Sequence, residues 1–113
     1  MHEMSLAESA LQIIEDTVRS QGFTKVKTVW LEIGQLAAVE PGAMRFCFDA
    51  VTSGSLAEGA HLEIIEIPGS GHCTACGNMV AMQEPYGLCP ECGSPHLQIV
   101  SGDQMRVKNL EVE

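Results

Sequence analysis

The chain is poor in aromatic side chains and poor in cations. Trp30, Tyr86, Phe23, Phe46 and Phe48 are its only aromatics among 113 residues, so its core must rest on Leu, Ile, Val, Ala and Met. Six Lys and Arg face 15 Asp and Glu, a formal charge of −9. That shortage of cations argues against a nucleic-acid partner, since such affinity comes largely from neutralising phosphates. No apolar run approaches the roughly 18 residues of a membrane span. The opening Met1-His2-Glu3-Met4-Ser5 has neither the basic start nor the apolar run of a secretory leader, so a cytoplasmic location is expected. The chain shows no Ser-His-Asp arrangement and no phosphate loop, and no catalysis is expected of it.

What is present is enough for a real core: 45% of the residues are hydrophobic, too many for a disordered chain. Ser5 to about Gln21 predicts a first helix, with Ser5 as N-cap, Glu8 completing a capping box and Gly22 at C′. Leu6, Ala10, Ile13, Ile14 and Val18 fall on its apolar face. Lys25 to Gly34 predicts a strand, with Val29, Leu31 and Ile33 alternating with Thr28, Trp30 and Glu32. Pro41 suits the first turn of a second helix. Its expected buried stripe is Ala43, Phe46, Cys47, Ala50 and Val51, with Cys47 a buried structural thiol, and Ser53-Gly54-Ser55 ends it. Glu40, just before it, suits a first-turn carboxylate. His61 to Ile67 predicts a second strand closed by Pro68-Gly69-Ser70-Gly71, and His61 is read as structural or solvated. From His72 to about His96 the pattern changes: Cys, Gly and Pro dominate, with no sustained periodicity. Leu97 to Val100 and Met105 to Val112 return to strand-like residues around a Gly102-Asp103 turn. If the last strand rejoins the first sheet, the cysteine segment is an insertion. The expected class is α+β.

The strongest motif is Cys73-Thr74-Ala75-Cys76-Gly77 with Cys89-Pro90-Glu91-Cys92-Gly93. Two residues between cysteines let both thiolates reach one metal across a tight turn, and a glycine after each pair lets the backbone turn back. Two such turns give four thiolates in a tetrahedron, a closed structural zinc site with no position left for water or substrate. A rubredoxin-like iron site is the chemical rival. About twenty-five residues cannot order themselves by burial alone, so the metal is expected to be a fold element.

A second metal reading rests on the terminus. A histidine at position two can offer its imidazole, its own deprotonated backbone nitrogen and the N-terminal amine to one ion. The backbone nitrogen or carboxylate of Glu3 can complete the set, and four donors in a plane suit Ni(II) or Cu(II). Spacing alone leaves this signal weak.

Met1-His2-Glu3, the helix opening Met4-Ser5-Leu6, the strand Val29-Trp30-Leu31-Glu32-Ile33-Gly34, Phe46-Cys47-Phe48, both CxxC knuckles and the Gly102-Asp103 turn before Met105-Arg106-Val107 lie in one chain. Together they resemble the HypA/HybF hydrogenase-maturation proteins, over essentially the whole chain. The resemblance implies a nickel metallochaperone serving the large subunit of NiFe-hydrogenase, working with the GTPase HypB, some relatives also serving urease. It implies a small, about three-stranded sheet flanked by two helices, with a zinc-ribbon insertion. Residues 1–70, completed by 101–113, are then the nickel-binding α/β domain, and 71–100 the zinc ribbon. His2 is the implied nickel ligand, with a secondary part for Glu3; Cys73, Cys76, Cys89 and Cys92 are the implied zinc ligands. Some relatives place a histidine close behind each CxxC motif. Here Gly77-Asn78 and Gly93-Ser94-Pro95 stand in those places, so His72 and His96 are left outside the ligand set. Glu40 could assist nickel as a weak oxygen donor. The rival reading is a zinc-ribbon module for protein or nucleic-acid contacts, without nickel.

Overall fold

A computed structural model of the chain describes residues 3–113. The elements in order are α1 (Glu3–Ser20), β1 (Val26–Gly34), α2 (Pro41–Thr52), β2 (His61–Ile67), β3 (Gly69–Cys73), β4 (Met79–Met82), β5 (Leu97–Ser101) and β6 (Met105–Val112). They fall into two compact units. One comprises Met1–Glu32, Val39–Ile65 and Arg106–Glu113; the other comprises Ile33–Ala38 and Glu66–Met105. No described helix is long and apolar enough to cross a membrane.

Helix α1 is already helical at Glu3, so Ser5 lies inside its first turn and is not the N-cap expected of it. Its end is as expected. Gly22 has φ +81°, its amide donates to the Arg19 carbonyl, and the Phe23 amide donates to the Val18 carbonyl at 3.0 Å. That pair of bonds is a Schellman cap, which needs a left-handed residue at C′. The buried positions are Ala7, Ala10, Ile14 and Val18; Ile13 is 55% exposed and Leu6 only half-buried.

Helix α2 departs further from expectation. Its buried residues are Met44, Phe48 and Thr52, while Phe46 is 74% exposed. Ala50 is exposed too, and Ala43, Cys47 and Val51 are half-buried. Cys47 is therefore not the buried thiol expected. Apolar side chains cover most of this helix's circumference, so periodicity cannot set its rotational phase. Packing against α1 does. Glu40 caps the helix: its carboxylate accepts from the Gly42 amide at 3.1 Å and the Ala43 amide at 2.5 Å, and Pro41 follows. The cap satisfies two first-turn amides that have no intrahelical partner, and proline at the first position removes a third such donor.

Two three-stranded sheets form, in the orders β2-β1-β6 and β4-β3-β5. In the first, the inner residues Val29, Leu31 and Ile33 of β1 are buried as the alternation predicts. Strand β6 runs antiparallel to β1: Thr28 donates to Glu111 near one end, and Arg106 pairs with Glu32 near the other. The last strand thus rejoins the first sheet, and everything between β2 and β6 is an insertion.

The second sheet overturns one expectation. The Pro68–Gly71 stretch is not a closing turn, because β3 starts at Gly69. The sequence reads as loop because its glycines depress strand propensity. They are there for close approach. A Cβ at Gly69 would lie 2.4 Å from the Met82 carbonyl oxygen, and one at Gly71 would lie 2.3 Å from the Met82 sulfur. Strand β3 pairs antiparallel with β4 (Gly69 opposite Met82, His72 opposite Met79) and with β5 (Cys73 opposite Leu97). Leu36, Cys73, Val80, Met82 and Cys89 form a core for this unit, with Leu97 against it.

Candidate metal centre

Cys73 is the last residue of β3, Cys76 lies in the turn before β4, and Cys89 and Cys92 lie in a second turn before β5. The two turns are built alike. The Gly77 amide donates to the Cys73 carbonyl at 2.8 Å, and the Gly93 amide to the Cys89 carbonyl at 2.7 Å. The Cys73 amide donates to the Asn78 carbonyl at 3.0 Å, and the Cys89 amide to the Ser94 carbonyl at 2.8 Å. Both glycines have positive φ, +80° at Gly77 and +79° at Gly93. The glycines legible in the motif are therefore required by the turn itself. The knuckles are tied together by Thr74, whose amide and hydroxyl both donate to the His96 carbonyl, at 3.0 and 3.3 Å.

These turns bring all four sulfurs within 4.8 Å of one another. Cys73 and Cys92 are 3.6 Å apart and Cys76 and Cys89 3.8 Å, far beyond the ~2.05 Å of a disulfide. Sulfurs about 2.3 Å from a central zinc sit at tetrahedron corners about 3.8 Å apart, so the spacing fits a tetrathiolate metal. Cys73 and Cys89 are buried; Cys76 and Cys92 are exposed.

The electrostatics suit a cation. The backbone amide of Cys76, helped by that of Ala75, outweighs burial and holds the Cys73 thiol down to about 6. At Cys92 the Ser94 amide also lowers the pKa, yet desolvation of its sulfur and the neighbouring sulfurs of Cys73, Cys76 and Cys89 push it up to about 12. Four thiolates so close cannot all ionise without a positive charge among them. No Lys or Arg of this unit supplies one, since residues 33–38 and 66–105 contain neither. Backbone amides supply part of the positive charge, and the cluster could take the rest from a bound metal ion. The Asn78 side-chain amide adds one more donor, 3.4 Å from the Cys76 sulfur. Nothing in the motif signalled Asn78, Thr74 or Ser94, because their parts depend on the folded turns. His96 contributes its carbonyl to the link between the knuckles, and Cys47 is on α2, outside the cluster.

At the other metal position, His2 lies outside the described residues. Glu3 opens α1, and its carboxylate accepts the Glu40 amide at 3.2 Å. Residue 3 is thus held at the start of α2, next to the capping carboxylate of Glu40. The Glu40 carboxylate is engaged as the N-cap of α2, just ahead of the first turn in which it was expected. His61 is exposed, against Glu63.

Comparison with known proteins agrees over the full length. The chain is 61% identical to the hydrogenase maturation factor HypA of Albidiferax ferrireducens and 58% identical to that of Azotobacter chroococcum, each alignment covering all of both chains. Among solved structures it resembles the solution structure of the Ni metallochaperone HypA from Helicobacter pylori. The TM-score is 0.76 at 26% identity, over 99% of this chain and 97% of that one. Residues 1–112 match a family model described as "Hydrogenase/urease nickel incorporation, metallochaperone, hypA", and the chain therefore belongs to the HypA family of hydrogenase-maturation metallochaperones.

Proposed function

We propose that this chain carries one Ni(II) at its N-terminus and surrenders it to the large subunit of a NiFe-hydrogenase during maturation, in the cytoplasm, with the GTPase HypB as its nickel-handling partner. His2 binds the ion through its imidazole and backbone nitrogen, beside the terminal amine. Glu3 takes a secondary part through its backbone nitrogen or carboxylate. The first compact unit handles nickel. In the second, Cys73, Cys76, Cys89 and Cys92 hold a structural Zn(II), which when bound supplies the positive charge and cross-link that those turns need. The chain acts as a carrier and not as an enzyme. The nickel reading rests on one observation above all: the family match begins at residue 1, so Met1-His2-Glu3 lies within it.

A chain terminus suits a carrier, since ligands there exchange without opening a core. The test is calorimetric titration of Ni(II) into zinc-loaded, tag-free protein beside a version with two residues added ahead of Met1. Addition removes the amine from its chelate ring. One tight equivalent on the native terminus, lost or weakened on the extended one, supports the reading. Equal binding by both rejects His2 as the site, and binding by neither leaves a zinc-only interaction scaffold.

A further inference from the structure

The four sulfurs of the cluster are not equivalent. Cys73 and Cys89 are buried and form part of the small core of their unit. Cys76 and Cys92 are exposed. The Asn78 side-chain amide lies 3.4 Å from the Cys76 sulfur and shields it on one side, which leaves Cys92 the more open of the two. Each exposed sulfur faces a buried one on the other knuckle: Cys92 lies 3.6 Å from Cys73, and Cys76 lies 3.8 Å from Cys89. A contraction of about 1.5 Å would bring either pair to the length of a disulfide.

That arrangement has the two parts of an oxidant-responsive thiol pair, an accessible thiolate and a second sulfur poised to resolve it. Metal ligation supplies the first requirement, because a bound cysteine is held as the thiolate, the nucleophilic form. The surrounding charge selects the oxidant. The unit carries Glu66, Glu84, Glu91 and Asp103 and neither Lys nor Arg. Its field repels an anionic oxidant such as glutathione disulfide and leaves the approach of an uncharged peroxide unhindered.

We propose that Cys92 is a site of reversible oxidation by hydrogen peroxide, resolved by Cys73 as a disulfide between the two knuckles. The Cys92 thiolate attacks one peroxide oxygen; an S–O bond forms, the O–O bond breaks and hydroxide leaves. The Cys73 thiolate then attacks the Cys92 sulfur; the S–S bond forms, the S–O bond breaks and a second hydroxide leaves. Two thiolates have given up two electrons, and one peroxide has become two hydroxides. Cys76 and Cys89 alone then face the metal ion, which is released, and a second peroxide joins them by the same two steps. Both disulfides cross between the knuckles, as Thr74 and the His96 carbonyl already do, so the oxidised unit keeps a cross-link where the ion had supplied one. Two equivalents of a dithiol reductant return the four thiols, and Zn(II) reloads them. This inference rests on the reading of the cluster as a Zn(II) site and is independent of nickel.

The test uses the full-length, zinc-loaded, tag-free chain beside Cys47→Ser, which removes the one thiol outside the cluster. Elemental analysis first establishes the bound metal; a chain that takes up no zinc refutes the zinc reading itself, a failure separate from those below. Hydrogen peroxide is then titrated in, with zinc release read by a chromophoric chelator and the products by mass spectrometry. Cleavage after Glu84 and Glu91 places Cys89 and Cys92 on fragments apart from the one that holds Cys73 and Cys76, so the pairing can be mapped. Both proteins are expected to lose all their zinc and two hydrogens per peroxide consumed. The first disulfide trapped by alkylation joins Cys92 to Cys73, and dithiothreitol with Zn(II) restores the starting protein. Glutathione disulfide at equal concentration releases zinc at least about tenfold more slowly. Zinc that stays bound under excess peroxide overturns the proposal. So does a first disulfide within one knuckle, or zinc loss with Cys92 carried to sulfinic acid and no disulfide, or release by glutathione disulfide as fast as by peroxide.

Discussion

Phe46 and Phe48 lie two residues apart on α2 in opposite environments, which makes them a sharp test of how that helix is rotated. Phe48 is 1% exposed and Phe46 74% exposed. Phe48→Ala removes a fully buried ring and leaves a cavity, a change that costs about 3–5 kcal/mol. Against a typical domain stability of about 5–15 kcal/mol, that is from about a fifth of the margin to all of it. With an m-value of roughly 1.5 kcal/mol/M, the urea midpoint falls by about 2–3 M. Phe46→Ala loses little burial and gains a residue of better helix propensity, so its effect stays within about 0.5 kcal/mol of zero. Far-UV circular dichroism of the metal-loaded protein is the assay, because both helices belong to the same compact unit and the signal follows that unit. If Phe46→Ala destabilises as much as Phe48→Ala, the stripe expected from the sequence is correct and the rotation described above is wrong.

Three further outcomes can be checked on the same protein. Gly34→Ala should be severe, about 3 kcal/mol or more, because the new Cβ would lie 2.0 Å from the Gly102 carbonyl oxygen. Gly77→Ala meets open space and suffers only its φ of +80°, about 1–2 kcal/mol; thermal melts of the two variants should therefore rank in that order. Glu40→Ala removes the carboxylate that caps α2 and should cost about 1 kcal/mol, read as lost helicity and a lower urea midpoint, whereas Glu40→Asn should retain most of the cap. Metal binding at the cysteines must displace the proton that a Cys92 pKa of about 12 keeps bound at neutral pH, so affinity should rise with pH, by about tenfold per unit for each proton released. Competition against a chromophoric chelator between about pH 6.5 and 8 measures this, and a flat profile would show that the thiols are already ionised.

The two kinds of feature differ in how far the sequence reveals them. The metal knuckles are legible because everything that makes them is local: the spacing of two cysteines and the positive φ of the next residue are set within five residues. Gly22 was legible for the same reason, since a C′ cap involves only the last turn of its own helix. The strand alternation of β1 could be read because its inner face is apolar and its outer face is not. The phase of α2 could not, because Ala43, Met44, Phe46, Cys47, Phe48, Ala50 and Val51 wrap it with apolar surface and the choice among faces is made by α1. Strand β3 was hidden for a related reason. Gly69 and Gly71 lower its local propensity, and what requires them is the Met82 backbone and side chain on the neighbouring strand, a contact that sequence order does not announce.

The charge distribution joins these levels. All six Lys and Arg fall in the unit built from α1, α2 and most of the first sheet, while the four thiols fall in the unit that has none. A basic side chain beside the cluster could have stabilised thiolates without a metal, and the turns would then hold their shape in its absence. No Lys or Arg of its own unit does so, and the anionic cluster would take its charge balance from a bound cation. The same unit has a small core of five buried residues, two of them cysteines of the cluster itself. Stripping the metal should therefore loosen the second unit through charge and packing together, while the unit containing Phe48 and Ile14 keeps a core that includes none of the four cysteines. A chelator titration followed by amide hydrogen exchange separates these fates: protection is lost first along β3, β4 and β5, and uniform loss across both units would refute the argument.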